Sequence, residues 1–268
     1  MTEPESPRAI VLEQPVGATP EEVWAALSDG AGLARWFAPM ASVTPGAGGT
    51  VTVAWEPGEE WTSDIEAWEP GRRLRIASDQ PLASGRVARL TVDFHIETDR
   101  GSTVVRLVHA GFDGDTAWDD MVDGLEAGWT YFLLNLRHAL ERHPGQARVM
   151  VSAHPRWRMP VAETRAALYG PGGLAVTGAP AGFAAGDEVT LAVGGETLAA
   201  RVLIANLPRT AAFLIPELND ALLFVEREGM DEVCRVGVWL SLYGVPAPRV
   251  ARLREALGGW EQGVKIED

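Results

Sequence analysis

Residues 118–142, WDDMVDGLEAGWTYFLLNLRHALER, decide how the first half of the chain folds. Met121, Val122, Leu125, Trp129, Phe132, Leu133, Leu136 and Leu140 recur at three- and four-residue spacing, which is one continuous apolar stripe on a long helix. A stripe of this length needs an apolar surface to lie on. Several upstream runs alternate with a period of two, so the expected partner is the concave face of an antiparallel sheet. A helix laid along a curved sheet leaves a gap, and a functional site is expected there.

Working outward, Arg8 to Val16 reads as a first strand, broken by Pro15 and Gly17. Thr19-Pro20-Glu21-Glu22 then opens a short helix, with Thr19 as N-cap, Pro20 at the first helical position and Glu22 closing a capping box. Val23, Trp24 and Leu27 are its apolar face, Ser28-Asp29-Gly30 breaks it, and Leu33, Trp36 and Phe37 predict a second short helix. Thr50 to Trp55 and Glu60 to Trp68 alternate around the turn Glu56-Pro57-Gly58-Glu59, the pattern of a hairpin. Arg72 to Ala77, Val87 to Thr98 and Ser102 to Ala110 follow as strands, the last two joined at Asp99-Arg100-Gly101. Thr116, three residues before Asp119, is the expected cap of the long helix.

Strand, two short helices, a run of antiparallel strands and one long helix make a helix-grip order. The residues that carry it also resemble a family. Pro20-Glu21-Glu22-Val23-Trp24, Leu33-Ala34-Arg35-Trp36-Phe37 and Glu69-Pro70-Gly71-Arg72-Arg73-Leu74 resemble the activator of heat-shock-protein-90 ATPase-like branch of the START-like superfamily, also called SRPBCC. So do His109-Ala110-Gly111-Phe112 and Gly128-Trp129 through Leu133, Leu136 and Leu140, so that the resemblance covers residues 1–145. It implies an α+β, helix-grip fold of the birch-pollen-allergen-like kind: an antiparallel sheet wrapped on a long C-terminal helix, with a small hydrophobic or aromatic molecule held between them.

The second half repeats the order. Ala166-Ala167-Leu168 with Gly173-Leu174-Ala175 echoes Ala25-Ala26-Leu27 with Gly32-Leu33-Ala34. Gly186 to Val193 with Glu196 to Asn206 parallels the first hairpin, Leu207-Pro208-Arg209 the corner at Pro70-Gly71-Arg72, and Leu222 to Glu226 with Val233 to Tyr243 the last two strands. The expectation is a tandem chain: a START-like domain with a ligand cavity over residues 1–145 and a diverged, reduced START-like domain over 146–268, joined at Gly145-Gln146. In the second copy Leu242 stands in the place of His109, and the helix after Pro246-Ala247-Pro248 is too short to hold a counterpart of Trp129.

Composition narrows the function. The 268 residues are enough for two domains with cores of their own. A net charge of −14, from 37 acidic and 23 basic residues, argues against nucleic acid and against anionic membranes as partners. There is no apolar run of spanning length, and the N-terminal MTEPESPRAI is acidic where a signal peptide is basic then apolar, so a cytoplasmic location is expected. Cys234, the single cysteine, reads as a small buried strand residue and excludes an internal disulfide.

The expected ligand-binding residues are Trp36, Trp55 and Trp61, then Val105, Leu107, His109 and Phe112 on the last strand, and Leu125, Trp129 and Phe132 on the long helix. Large aromatics line ligand cavities and fill cores alike. His109 shares a face with Val105 and Leu107, and is read either as a polar handle for a ligand or as a buried histidine bonded to a neighbour. His95 should face solvent, by parity with Asp93 and Glu97. Gly128 takes a side chain off the helix, making room for a ligand or for a strand. Two alternatives remain open. One is a cyclase- or aromatase-like enzyme using His109 with Asp64, Glu66 or Arg73; the other is a protein-interaction, co-chaperone-like module with an exposed apolar patch. Asp113, Asp115, Asp119, Asp120 and Asp123 lack the glycine and terminal glutamate of a calcium loop and suit a helix start. Gly170-Pro171-Gly172-Gly173 lacks the Lys-Ser or Lys-Thr of a phosphate loop and reads as a turn. No cofactor and no metal are expected, and the oligomeric state is left open.

Overall fold

Strand β1, Arg8–Val16, pairs along its whole length with the last strand of the first sheet, β7, Ser102–Phe112. The computed structural model describes residues 8–81, 87–99, 101–112, 118–178, 182–193, 195–229 and 233–263, with side chains through 259. The chain divides into two compact units, residues 1–147 and 148–268.

In the first unit β1 is followed by helices α1, Pro20–Ser28, and α2, Gly30–Ala34. The expected capping box forms: the Glu22 amide donates to Thr19 Oγ1 and the Thr19 amide to Glu22 Oε2. Asp29 caps α2 in turn, accepting from the Gly32 amide. Strands β2, Met40–Thr44, β3, Thr50–Ala54, β4, Glu60–Glu69, β5, Arg73–Pro81, and β6, Val87–Asp99, complete an antiparallel sheet in the order β1-β7-β6-β5-β4-β3-β2. The chain closes with helix α3, Asp119–Arg142, packed along β1. This is the helix-grip arrangement. β2 is an addition to the expected elements; none of its five residues is buried, so no hydrophobic signal marks it.

The stripe of α3 is broader than the apolar residues alone define. Val122, Trp129, Leu133 and Leu136 are buried, and so are Ala127, Tyr131, Asn135, His138 and Ala139, whereas Met121 is exposed. Of the polar members, Asn135 matters for register. Asn135 Nδ2 donates to the Trp36 carbonyl at 2.6 Å, and Trp36 Nε1 donates to the Ala26 carbonyl at 2.9 Å. Arg35, just past α2, donates to the carbonyls of Ala139, His143 and Gln146, so a cation sits where the helix dipole is negative and end carbonyls lack intrahelical partners. At the other end the helix begins at Trp118 without a side-chain cap; Thr116, the expected cap, lies outside the described residues.

A bulge shapes the inner face. Ala110 pairs with Ala9 and Phe112 with Arg8, which leaves Gly111 as an extra residue on β7. Strict alternation would turn Phe112 outward after His109, and the bulge returns it to the buried side. Gly111 has φ +110°, and a Cβ there would stand 2.2 Å from the Arg89 carbonyl oxygen.

The second unit repeats the plan. Strands β8, Arg148–Ala153, β10, Glu188–Val193, β11, Glu196–Asn206, β12, Thr210–Ile215, β13, Ala221–Glu228, and β14, Val233–Tyr243, are ordered β8-β14-β13-β12-β11-β10. That is the first sheet's order without a counterpart of β2. A short strand β9, Arg156–Arg158, also pairs with β14, helix α4, Val161–Tyr169, takes the place of α1, and α5, Ala247–Gly263, ends the unit. β8, β9 and β12 were not among the expected elements. α5 has 17 residues against the 24 of α3, and packs on β8 through a core that includes Val151, Leu240, Leu242 and Leu253. Cys234 is buried in β14.

Replacing Gly111 by Ala should destabilise the first unit by about 2 to 3 kcal/mol, because positive φ and a backbone clash act together. Urea unfolding followed by tryptophan emission checks it, and an unchanged midpoint would show that the bulge is not formed.

Candidate functional site

His109 stands on β7 with its side chain under α3, in line with the fully buried Val105 and Leu107. Its neighbours across the sheet are apolar, Ile10 on β1 and Val92 on β6. From the middle of α3, Trp129 donates its Nε1–H to His109 Nδ1 at 3.0 Å, with both residues buried. An indole N–H only donates, so Nδ1 must be the bare, accepting nitrogen and the ring proton lies on Nε2. Burial pushes the imidazole down to about 4, which keeps the ring neutral at pH 7. Nε2–H has no hydrogen-bond partner among the described residues, and it is not one of the fully enclosed, unpartnered side-chain atoms.

Around this pair the aromatic residues form a path. Phe37 stacks on Trp129 with ring centres 5.4 Å apart and planes 10° from parallel, and meets Trp55 and Phe132 edge-on at 5.2 and 4.7 Å. Trp55 meets Trp61 at 6.2 Å, and Trp61 is 66% exposed. The rings Trp61, Trp55, Phe37 and Trp129 therefore lead from the surface to the buried imidazole. Offset and edge-on contacts of this kind are the favoured aromatic geometries. Beside the path, a Cβ added at Gly128 would have one neighbour within 4 Å, Phe132 Cε2 at 3.9 Å. The glycine makes room next to Phe132 and not for a strand.

Beyond His109 the packing is of another kind. Phe112 lies 4.9 Å from the imidazole and is buried with Ile10, Trp118 and Val122, against which Leu125 packs. Trp36 stands behind the path, fully buried, between Phe37 and Phe94. The ten expected residues are thus divided: Trp55, Trp61, Trp129 and Phe132 belong to the path, Phe112 and Leu125 to the apolar floor, Val105, Leu107 and Trp36 to the supporting core, and His109 to the junction. Phe37 and Phe94 were missing from the expected set. Phe94 meets Trp129 edge-on at 5.9 Å and lies opposite Leu107 in the β6–β7 register, a placement visible only once strands are paired.

The polar partners proposed for His109 are on the other face of the sheet. Arg73 grips Asp93 with two hydrogen bonds, of 3.0 and 2.8 Å, and Glu66 bonds Arg75 and Arg89, the latter also bound to Asp64 and Asp79. Arg73 and Asp93 pair with His95 and Arg75, outward residues that alternate with the inward Leu74 and Phe94. Glu66 occupies a bulge between Ile65 and Ala67, which is why alternation did not reveal its facing. Burial pushes Asp93 up, but the Arg73 hydrogen bond and the charges of His95, Arg73 and Arg75 outweigh it and hold the carboxyl below its usual range. His95 is on the outer face as expected, 3.3 Å from Asp93. Neither Asp64, Glu66 nor Arg73 reaches the imidazole.

Sequence reading also passed over a histidine pair near the end of α3: His138 and His143 are buried with their Nε2 atoms 3.2 Å apart. In the second unit Leu242 is core, and the buried Arg227 donates to Thr164 Oγ1 and to the Gly229 carbonyl. Among the described residues no group of three or more His, Cys, Asp or Glu side chains is placed to hold a metal ion, and no helix is long and apolar enough to cross a membrane. Asp113 and Asp115 lie outside the described residues.

Residues 17–141 match the family described as activator of Hsp90 ATPase homolog 1-like protein. No protein of curated function matches the chain. Among solved structures, the chain is similar to protein MLL2253 of Mesorhizobium loti, at 22% identity over 51% of this chain and 98% of that one, with a TM-score of 0.45. DynU16, of the dynemicin biosynthetic locus, is 18% identical over 94% of this chain and 95% of its own, with a TM-score of 0.41. The di-domain ARO/CYC BexL of the BE-7585A biosynthetic pathway is 17% identical over 97% of this chain and all of its own, with a TM-score of 0.42.

The buried histidine has a pH signature. Its pKa is lowered in the fold, so below the ordinary value of about 6.5 the unfolded chain binds more protons, and stability falls as pH drops toward 4. Between pH 7 and pH 4.5 this one group should remove about 2 to 3 kcal/mol. Urea unfolding at both pH values should show a drop smaller by that amount in His109→Leu than in the wild type; equal drops would mean that His109 is not buried as a neutral ring.

Proposed function

We propose, from the match of residues 17–141 to the activator of Hsp90 ATPase homolog 1-like family, that the first unit binds a small apolar or aromatic molecule between its sheet and α3. The observation that carries this reading is the path of rings from the exposed Trp61 to the buried Trp129–His109 pair, beside which a Cβ at Gly128 would touch only Phe132. Flat aromatic walls with one polar group at the inner end fit the common pattern of a small-molecule site: apolar lining gives affinity, and a few placed polar atoms give orientation. Phe37, Trp55 and Phe132 present faces and edges against which a flat guest can stack.

An acid or base role for His109 is the weaker reading. A ring whose pKa is about 4 is a poor base near neutrality, and the three side chains that could have assisted it lie on the opposite face.

The test is a titration of the full-length protein with a neutral, environment-sensitive naphthalene dye. Saturable enhancement of dye emission is expected, with concurrent quenching of tryptophan. Gly128→Leu should abolish the enhancement by placing a side chain beside Phe132. The same change should leave stability equal or raised by about 0.5 to 1 kcal/mol, since glycine is a poor residue for a helix interior. Absence of saturation in the wild type would sink the reading, and undiminished binding by a folded Gly128→Leu protein would place the site elsewhere.

A further inference from the structure

Resting on the binding site proposed above, we infer that its ligand is a neutral aromatic molecule carrying a hydrogen-bond acceptor of the carbonyl kind, which accepts from His109 Nε2–H, and that Trp129 is the positioning residue that sets this polarity.

The argument begins with the only atom in the Trp129–His109 contact whose role is not adjustable. Imidazole, when neutral, can present either nitrogen as donor, and an unconstrained histidine can therefore serve guests of both polarities. Indole cannot. Its Nε1–H, 3.0 Å from Nδ1, obliges that nitrogen to accept, and the remaining nitrogen then carries the hydrogen. Protonation of Nδ1 would set two donors against each other in a buried contact, which adds to the desolvation that already keeps the ring neutral. The site is thus committed to donating.

The second step concerns what that donor meets. Ile10, Val92, Phe112 and Trp129 surround the ring, and none of the four offers it a side-chain acceptor. The donor is not sealed from solvent in the free protein, and once a guest excludes water from it, leaving it unsatisfied costs about 1 to 3 kcal/mol. A guest acceptor avoids that loss, whereas a hydrocarbon of the same shape incurs it. A carboxylate is disfavoured for a separate reason. The ring is neutral and the arginines of this sheet that form the ion-pair network, Arg73, Arg75 and Arg89, are engaged on the outer face, so a buried anion would meet no compensating charge. The selected class is therefore neutral and acceptor-bearing.

Three naphthalenes of similar size separate the possibilities: 2-acetonaphthalene, 2-isopropenylnaphthalene and 2-naphthoate, each titrated into the full-length wild type and His109→Leu. The expected result is that the ketone-to-hydrocarbon affinity ratio falls about tenfold on replacing His109, the worth of one net hydrogen bond. The carboxylate should bind weakest to both. Nitrogen-15 NMR of the histidine-labelled wild type supplies a readout that does not depend on any variant folding: Nδ1 of His109 should resonate as an unprotonated and Nε2 as a protonated nitrogen. In Trp129→Phe, which keeps the ring stack but removes the indole N–H, the two signals should move toward the average of the two tautomers. A ketone-to-hydrocarbon ratio unchanged by His109→Leu, or a protonated Nδ1 in the wild type, overturns the inference while leaving an apolar site standing. If none of the three binds saturably, the site itself is refuted and the inference falls with it.

Discussion

Polar atoms on the stripe of α3 have to find partners on the surface that covers them, and this requirement fixes where the helix lies. Apolar contact alone would tolerate a slide or a small rotation, since packing against leucines is not directional. Asn135 to the Trp36 carbonyl, Trp129 to His109 and Arg35 to the last carbonyls are directional; the first and third tie the C-terminal half of the helix to the segment just past α2, and the second ties its middle to β7. An unsatisfied polar atom at any of these places would cost about as much as a whole buried methylene contact or more. The ring path exists because the helix is held at this height, with Trp129 over β7 and Phe132 beside Trp55.

Much of the first unit could be read from local chemistry. β1 has the expected bounds, and the capping box at Thr19 and Glu22 forms as its spacing implies. What escaped was what local pattern does not encode. β2 alternates between exposed and half-buried residues, so its strand character comes from pairing with β3 and not from burial. The bulges at Gly111 and Glu66 break the period of two, and facing cannot be assigned across a bulge without the partner strand. Asn135 and His138 were absent from the helix stripe because a hydrophobic period counts apolar residues, whereas the buried face admits any side chain whose polar atoms are satisfied. Of the candidate site, His109 and Trp129 were legible separately; their hydrogen bond was not, because it joins residues on different elements whose relative height only the fold determines.

The two copies show what the first gains from its polar inner end. In the second unit Leu242, the residue expected at the place of His109, lies in an apolar core with Val151, Leu240 and Leu253 that also holds the rings of Tyr169, Phe183 and Phe213, and the closing helix has 17 residues against 24. Buried polar groups of this unit lie elsewhere, among them Arg227 near the far end of β13, tied to Thr164 of α4. A shared strand order has therefore been given two differently organised interiors, as expected when fold and site chemistry are separable.

The pairing of β1 with β7 bears on how the first unit acquires its structure in time. Val16 lies opposite Thr103 and Arg8 opposite Phe112, so the first strand to be synthesised has its hydrogen-bonding edge satisfied only by the last strand of the sheet. Until about residue 112 has been released, β1 has no partner, and the contact that completes the sheet closes a longer loop than any other strand pairing of the unit. Topologies dominated by such distant pairings fold slowly. During synthesis the meander β2 to β6 can assemble by neighbouring hairpins, while β1 and the two short helices wait. The second unit is built under the same rule, with β8 held back for β14. Each half of the chain thus has its first strand exposed for nearly the whole of its own synthesis, and Glu13, Gln14 and Pro15 in the second half of β1 disfavour pairing of that waiting edge with a neighbouring chain.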